Sequence, residues 1–124
     1  MRRDRKRILI IDHNGPIRGL MKIEIEKKPD LEVCGEASDG PHGIQQGIAL
    51  RPDLIVMDFA MPRMNGLQAA AILHHAIPEA KIVLFTLHNE AISKRLAEDA
   101  GISAVFSKWD QLATIGIEVQ SLIA

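Results

Sequence analysis

The chain has 124 residues, a formal net charge of -1 and 47% hydrophobic residues, which is the composition of one domain with an aliphatic core. The near-neutral charge excludes a whole-molecule field that favours nucleic acid, and no apolar run is long enough to span a membrane. The single cysteine, Cys34, excludes an internal disulfide and fits a reducing cytoplasm. We therefore expect one cytoplasmic domain over residues 1–124, with basic residues 1–6 as a flexible lead-in.

The first half of the chain has the pattern strand, helix, strand, helix. Residues 8–11 are apolar and predict a strand, and apolar side chains then recur at helical spacing over residues 17–25, with Asn14 before them as a helix cap. Residues 31–37 alternate apolar and polar side chains, which predicts a strand with one wet face at a sheet edge. A second helix is predicted to open at residues 39–41.

The second half repeats this alternation. Short apolar runs at residues 54–57, 82–85 and 104–106 are typical of strands buried on both faces of a parallel sheet. A helical pattern follows each run, at residues 67–75, from about 89 to 100, and from about 110 onward.

Strands that alternate with helices predict right-handed crossovers and a doubly wound, three-layer α/β/α fold. With the alternating second strand at an edge, the five-stranded parallel sheet takes the flavodoxin-like order 2-1-3-4-5. The first and third strands are then neighbours, so Asp12 and Asp58, which follow them, lie side by side. Ligands of such sheets bind just beyond the carboxyl ends of the strands.

Four polar residues stand at those strand ends: Asp12, Asp58, Thr86 and Lys108. Adjacent carboxylates repel each other, and a hard cation such as Mg²⁺ relieves that repulsion. A carboxylate can also act as a nucleophile toward a phosphoryl group, whose charge a lysine neutralises and whose oxygens a hydroxyl can bind. The four residues together predict a site for a divalent cation and a phosphoryl group.

The chain resembles a response-regulator receiver domain of two-component signalling, from residue 8 to about residue 123. The similarity is carried by residues 8–12, 52–58, 61–66, 83–86 and 100–108. The amino-acid sequence around residues 33–37 and 86–88 is similar to that of the LuxR/NarL-type subfamily, whose members carry a DNA-binding half. These 124 residues do not include that half and are either a whole single-domain regulator or the receiver part of a longer one, and we expect no direct contact between them and nucleic acid.

The resemblance implies a role for each site residue. Asp58 is the phosphoacceptor, Thr86 the switch hydroxyl and Lys108 the charge partner of the phosphoryl group. Mg²⁺ is held by Asp12, Asp58 and the backbone carbonyl of Ala60. The phosphate comes from a sensor histidine kinase or a phosphotransfer protein, so the chain is expected to be a signalling module and not an enzyme, apart from its own phosphoryl acceptance and hydrolysis. A homodimer is expected through the face of the fourth helix, the fifth strand and the last helix.

The chain departs from the family pattern next to Asp12. His13 stands where the family normally has a second metal-binding acid, and imidazole is a poor ligand for Mg²⁺. We expect weak Mg²⁺ binding, with His13 either a ligand that favours Mn²⁺ or Zn²⁺ or a partly exposed loop residue. Val105 replaces the aromatic residue that shifts on activation, and Phe106 is expected to face the opposite side of the strand.

Leu87 is expected to narrow the access to Asp58, and Trp109 to pack over the loop or form part of a contact surface. His88, with Ala60, is expected to border the mouth of the site, where it either orients an attacking water or is a solvated loop histidine. Two hypotheses remain open on these departures. The chain is a receiver phosphorylated on Asp58, or it is a degenerate receiver that binds its partners without phosphate.

Overall fold

The computed structural model describes residues 4–87 and 92–123. Helices and strands alternate along these residues. In chain order the elements are β1 (Lys6–Ile11), α1 (Gly15–Glu26), β2 (Leu31–Ala37), α2 (Gly40–Leu50), β3 (Leu54–Met57), α3 (Gly66–Ala76), β4 (Lys81–Thr86), α4 (Lys94–Asp99), β5 (Ala104–Ser107), α5 (Lys108–Gln111) and α6 (Ile115–Ile123).

The strands form one five-stranded sheet in the order β2-β1-β3-β4-β5, and every neighbouring pair is parallel. This confirms the predicted doubly wound topology, with β2 at an edge. The register sets Ile11 opposite Met57 in the β1–β3 pair and Thr86 opposite Ser107 in the β4–β5 pair. The residues that follow these strands therefore emerge at one edge of the sheet.

A hydrophobic core covers each face of the sheet, because successive strand residues point to opposite sides. One core includes Ile11 and Met57 and is closed by side chains of α2, α3 and α4. The other includes Ile10 and Val56 and is closed by side chains of α1 and α6. In β5, Val105 packs against the first core, while Phe106 belongs to the second, which confirms that these two residues face opposite sides.

Side-chain caps start the helices nearest the carboxyl edge of the sheet. Asn14 accepts a hydrogen bond from the N–H of Ile17 at 3.0 Å, which confirms the predicted start of α1. Asn65 and Gln68 form a reciprocal capping box at the start of α3, with both bonds at 2.9 Å. These caps hold the turns that lead from β1 and from the β3 loop into their helices.

Some element boundaries differ from the sequence prediction. β1 begins at Lys6, inside the predicted lead-in, because the Lys6 N–H pairs with the carbonyl of Asp30 at 2.8 Å. Ser93 caps α4, so this helix starts at Lys94 within the described residues. Residues 88–91, which include His88 and the predicted start of that helix, lie outside the described residues.

The prediction of one continuous last helix from about residue 110 is wrong. A short helix, α5, begins directly at the end of β5, and α6 begins at Ile115. Between them the N–H groups of Thr114 and Ile115 bond to carbonyls three residues earlier, both at 3.3 Å, which tightens the chain into a turn. Among the helices described here, none has the length and apolar content needed to cross a membrane.

Candidate functional site

Two buried carboxylates lie side by side at the carboxyl edge of the sheet. The Asp12 N–H bonds to the carbonyl of Ala37 at 3.0 Å, and the Asp58 N–H bonds to the carbonyl of Ile11 at 2.9 Å. The ladder thus continues one residue past β1 and β3 and fixes both backbones. Asp12 is 0% exposed and Asp58 is 4% exposed. The predicted neighbours therefore meet in a pocket with little water to screen their repulsion.

Lys108 points into this pair of acids. It is the first residue of α5, and its side chain is 8% exposed. Its Nζ lies 2.5 Å from Oδ2 of Asp12 and 3.5 Å from Oδ2 of Asp58. Asp12 also accepts a hydrogen bond through Oδ1 from the N–H of Asn14 at 2.8 Å. Asp12 is thereby held by an ion pair and a backbone donor, and Asp58 is the acid that faces the opening.

The electrostatics of the pocket disfavour a charged Asp58. Burial is the main reason that the pKa of Asp58 is raised above its usual value, and the neighbouring Asp12 charge adds to it. Lys108 and His13 act in the opposite direction and lower the pKa of Asp58. A bound cation would favour the ionised carboxylate, which is the form able to act as a nucleophile.

His13 reaches the same carboxylate from the surface. Its Nδ1 lies 3.2 Å from Oδ2 of Asp58, and its side chain is 49% exposed. Donor atoms of Asp12, His13 and Asp58 all lie within 4.8 Å of one another. The two carboxylates fit Mg²⁺, whereas the imidazole fits a transition-metal ion better. The three donors suit a divalent cation. The site differs from an all-oxygen site in that His13 offers a nitrogen atom.

Arg18 holds the turn that carries these groups, and the sequence prediction missed this role. Its Nη1 donates to the carbonyl of Asp12 at 2.5 Å, and its Nε donates to Glu36 at 3.2 Å. The guanidinium therefore fixes the peptide that joins Asp12 to His13. The sequence feature that could have indicated this role is an arginine six residues after Asp12, near the start of α1.

A pocket of about 500 Å³ leads from the surface to Asp58. It is lined by His13, Asn14, Ile17, Asp58, Ala60, Leu87, Lys108, Trp109 and Leu112. Trp109 is 78% exposed and Leu87 is 42% exposed, so both stand at its rim. Asp58 is almost fully buried, but this pocket connects it to the surface.

Ala60 and Thr86 are the remaining predicted site residues that the structure describes. Ala60 is exposed and lines the pocket, two residues beyond Asp58. Thr86 is fully buried at the end of β4.

Gly66 closes the loop after β3. Its N–H bonds to the carbonyl of Phe59 at 2.8 Å, and an added Cβ would lie 2.5 Å from the carbonyl oxygen of Asp58. This loop is therefore packed tightly against the backbone of the proposed phosphoacceptor.

A doubly wound sheet with paired acids and a lysine at its carboxyl edge defines the class of protein. The family model described as the response regulator receiver domain matches residues 8–117, and the chain belongs to this family. Its members are the receivers of two-component systems and interact with histidine kinases or phosphotransfer proteins.

Curated relatives align with part of the chain. A protein-glutamate methylesterase/protein-glutamine glutaminase of Maricaulis maris is 45% identical over 78 residues, which cover 63% of this chain and 20% of that protein. The transcriptional regulatory protein LiaR of Bacillus subtilis is 38% identical over 80 residues, which cover 64% of this chain and 38% of that protein. The chain thus matches only a minor part of these longer relatives.

Solved structures share the fold over nearly the whole chain. A LuxR-family two-component response regulator from Aurantimonas sp. has a TM-score of 0.88 and 26% identity, covering 96% of this chain and 85% of that one. The response regulator domain of Thermotoga maritima CheB has a TM-score of 0.85 and 25% identity, covering 96% and 93%. These matches confirm the resemblance drawn from the sequence.

Proposed function

We infer that this chain is a phosphoacceptor module that receives a phosphoryl group on Asp58 from a histidine kinase or a phosphotransfer protein. One observation carries this proposal. The ammonium of Lys108 lies 3.5 Å from a carboxylate that is 4% exposed but lines a pocket open to solvent. A nucleophile, a fixed positive charge and an entry route therefore occur together, which is what phosphoryl transfer by positioning and charge neutralisation requires.

In the proposed reaction a carboxylate oxygen of Asp58 attacks the phosphorus of the donor. The new O–P bond forms as the bond from phosphorus to the donor atom breaks, and that atom leaves with the electron pair. Lys108 then neutralises part of the charge on the phosphoryl oxygens, and Thr86 supplies a hydroxyl. Asp12, Asp58 and the carbonyl of Ala60 would hold a divalent cation, which supplies further charge neutralisation when bound.

Intact-mass measurement tests the proposal directly. The chain is incubated with acetyl phosphate and either Mg²⁺ or Mn²⁺, and the expected result is the added mass of one phosphoryl group. Asp58→Asn should abolish the gain. Asp99→Asn, which alters an exposed acid on α4, should leave it intact. No mass gain with either ion, or a gain that survives Asp58→Asn, would contradict the proposal.

The second candidate is a degenerate receiver that binds partners without phosphate. Two observations favour it. Nδ1 of His13 lies 3.2 Å from Oδ2 of Asp58, so that oxygen already has a partner, and Val105 stands where the family has an aromatic residue that shifts on activation. If this candidate is right, the chain gains no mass with either ion, and Asp58→Asn leaves its affinity for a captured partner unchanged. Mass measurement and partner binding therefore separate the two functions.

We also propose that output uses the face formed by α4, β5 and α6, through a homodimer. Leu96 on α4 is 51% exposed and Ile117 on α6 is 54% exposed, so this part of the surface offers apolar contacts. Sedimentation equilibrium before and after phosphodonor treatment tests the proposal. Leu96→Glu should weaken any dimer, and a monomer under both conditions would contradict it.

A further inference from the structure

His13 gives the candidate cation site a nitrogen donor, and this has a consequence for which ion binds. We propose that the site prefers divalent transition-metal ions, of the type of Mn²⁺ and Zn²⁺, over Mg²⁺. The proposal deepens the proposed function by naming the class of ion at that site. It concerns binding, so it is measured without any phosphodonor.

The distances allow one ion to bind all three side chains. Ligand atoms of Asp12, His13 and Asp58 lie within 4.8 Å of one another. Bonds of roughly 2.0–2.3 Å to a shared ion need only small side-chain movements from such a starting arrangement. Because Nδ1 of His13 already lies 3.2 Å from Oδ2 of Asp58, the imidazole and the carboxylate start on the same side of the pocket.

The charge of the site weakens its attraction for Mg²⁺. Lys108 lies 2.5 Å from Asp12 and 3.5 Å from Asp58, so two carboxylates (−2) and one ammonium (+1) leave a formal charge of −1. Mg²⁺ gives up its water reluctantly and depends on negative oxygen ligands to replace it. Imidazole nitrogen suits Zn²⁺ in particular, so His13 contributes to the affinity for Zn²⁺ without adding charge, and the gain for Mn²⁺, which shares the oxygen preference of Mg²⁺, is smaller.

The backbone on both sides of His13 is also held in place before an ion arrives. The carbonyl of Asp12, on one side of His13, accepts a hydrogen bond from Arg18 at 2.5 Å. The N–H of Asn14, on the other side, donates to Oδ1 of Asp12 at 2.8 Å. To bind an ion, His13 must present the lone pair of Nδ1, so the ion replaces the contact between Nδ1 and Oδ2 of Asp58.

The chain carries its own reporter for this test. Trp109 is the single tryptophan, the chain has no tyrosine, and Trp109 lines the same pocket as His13 and Asp58. Titration of tryptophan fluorescence with Mg²⁺, Mn²⁺ and Zn²⁺ separately, checked by calorimetry, gives three dissociation constants. The selectivity is the ratio of the Mg²⁺ constant to the Mn²⁺ or Zn²⁺ constant.

His13→Asp is the decisive variant, because it restores an all-oxygen donor set. We expect it to tighten Mg²⁺ binding and to lower the selectivity by about tenfold or more. His13→Ala should weaken Mn²⁺ and Zn²⁺ more than Mg²⁺. His75→Ala removes an exposed histidine on α3 and should change none of the constants, which controls for ions held elsewhere.

The outcomes separate this proposal from the proposed function. Equal selectivity in the unmodified chain and in His13→Asp would overturn the proposal, as would Zn²⁺ binding that is lost with His75→Ala and kept with His13→Ala. Circular dichroism confirms that each variant is folded. If the chain shows the selectivity but gains no phosphoryl mass, this inference holds and the proposed function fails. If it gains the mass but shows no selectivity, the proposed function holds and this inference fails.

Discussion

Replacement of Lys108 by methionine tests how strongly the site depends on its one inward-pointing lysine. The side chain is 8% exposed, and its ammonium contacts Asp12, which is 0% exposed, and Asp58, which is 4% exposed. Methionine keeps most of the apolar stem of lysine and removes the charge. Two carboxylates then remain buried next to each other without this cation, and we expect the folded state to lose stability.

The size of the loss follows from the burial of both partners. Removing one partner of a buried ion pair costs about 3–5 kcal/mol. The pocket is open on the Asp58 side, so we take the lower end, about 3 kcal/mol. At about 2.1 cal/mol/K per residue, the 124 residues have an unfolding entropy of about 0.26 kcal/mol/K. The melting temperature should therefore fall by about 12 °C.

Thermal unfolding at pH 7 without divalent ions measures this change, in a cycle with Asp12→Asn. The double variant Asp12→Asn/Lys108→Met should recover part of the loss, because one of the unpaired charges is gone. Lys94→Met, on the exposed face of α4, is the matched control and should stay within about 0.5 kcal/mol of the unmodified chain. If Lys108→Met melts like Lys94→Met, the argument from a buried ion pair is refuted.

Two further predictions concern the proposed phosphoacceptor and its loop. The folded-state pKa of Asp58 is raised by burial and by Asp12, so its contribution to stability is full below the unfolded-state pKa and is lost as pH rises through the folded-state pKa. Asp58→Asn should thus stabilise the chain by about 0.5–2 kcal/mol at pH 7 and by less in acid, and urea titrations that show no gain at neutral pH would contradict this. Gly66→Ala should cost about 1–3 kcal/mol, because its Cβ would lie 2.5 Å from the backbone oxygen of Asp58. The control Gly19→Ala meets nothing within 4 Å and should be neutral or stabilising, and equal urea midpoints for the two alanine variants would rule out the loop argument.

The sheet order could be predicted because the local sequence pattern indicates which strands are buried on both faces and which one lies at an edge. Every residue of the apolar runs at 8–11 and 54–57 is 0% exposed, as expected of strands covered on both faces. The strand over residues 31–37 alternates in sequence and lies at the edge of the sheet. Once the edge strand is recognised, the connection rules leave few topologies, and the position of Asp12 beside Asp58 follows.

The break between α5 and α6 could not be predicted in this way. Leu112, Ile115 and Val119 continue one apolar face across it, so the local pattern indicates a single helix. The chain instead turns into α5 directly after β5, and this start carries the ammonium of Lys108 to Asp12. This local structure comes with a contact between residues 96 positions apart, and periodicity carries no information about such contacts.

The contact of His13 with Asp58 could not be predicted from the sequence for the same reason. These residues are 45 positions apart, and the parallel register of β1 and β3 brings them together. The sequence identified His13 as a departure from the family pattern, but it left open whether the ring faces the site or the solvent. In the structure the ring faces both: about half of the side-chain surface is exposed to solvent, and Nδ1 lies 3.2 Å from Oδ2 of Asp58.

The arrangement of charges also indicates where a change on phosphorylation would begin. Lys108 is closer to Asp12 than to Asp58 in the present structure, at 2.5 and 3.5 Å. A phosphoryl group on Asp58 would carry a charge of about −1.5 to −2 in place of the −1 of the carboxylate, and would place it on the farther partner. The ammonium would then shift its pairing toward Asp58 over a short distance. Because Lys108 is the first residue of α5 and Trp109 follows it at the rim of the pocket, such a shift would act directly on the junction of β5 and α5.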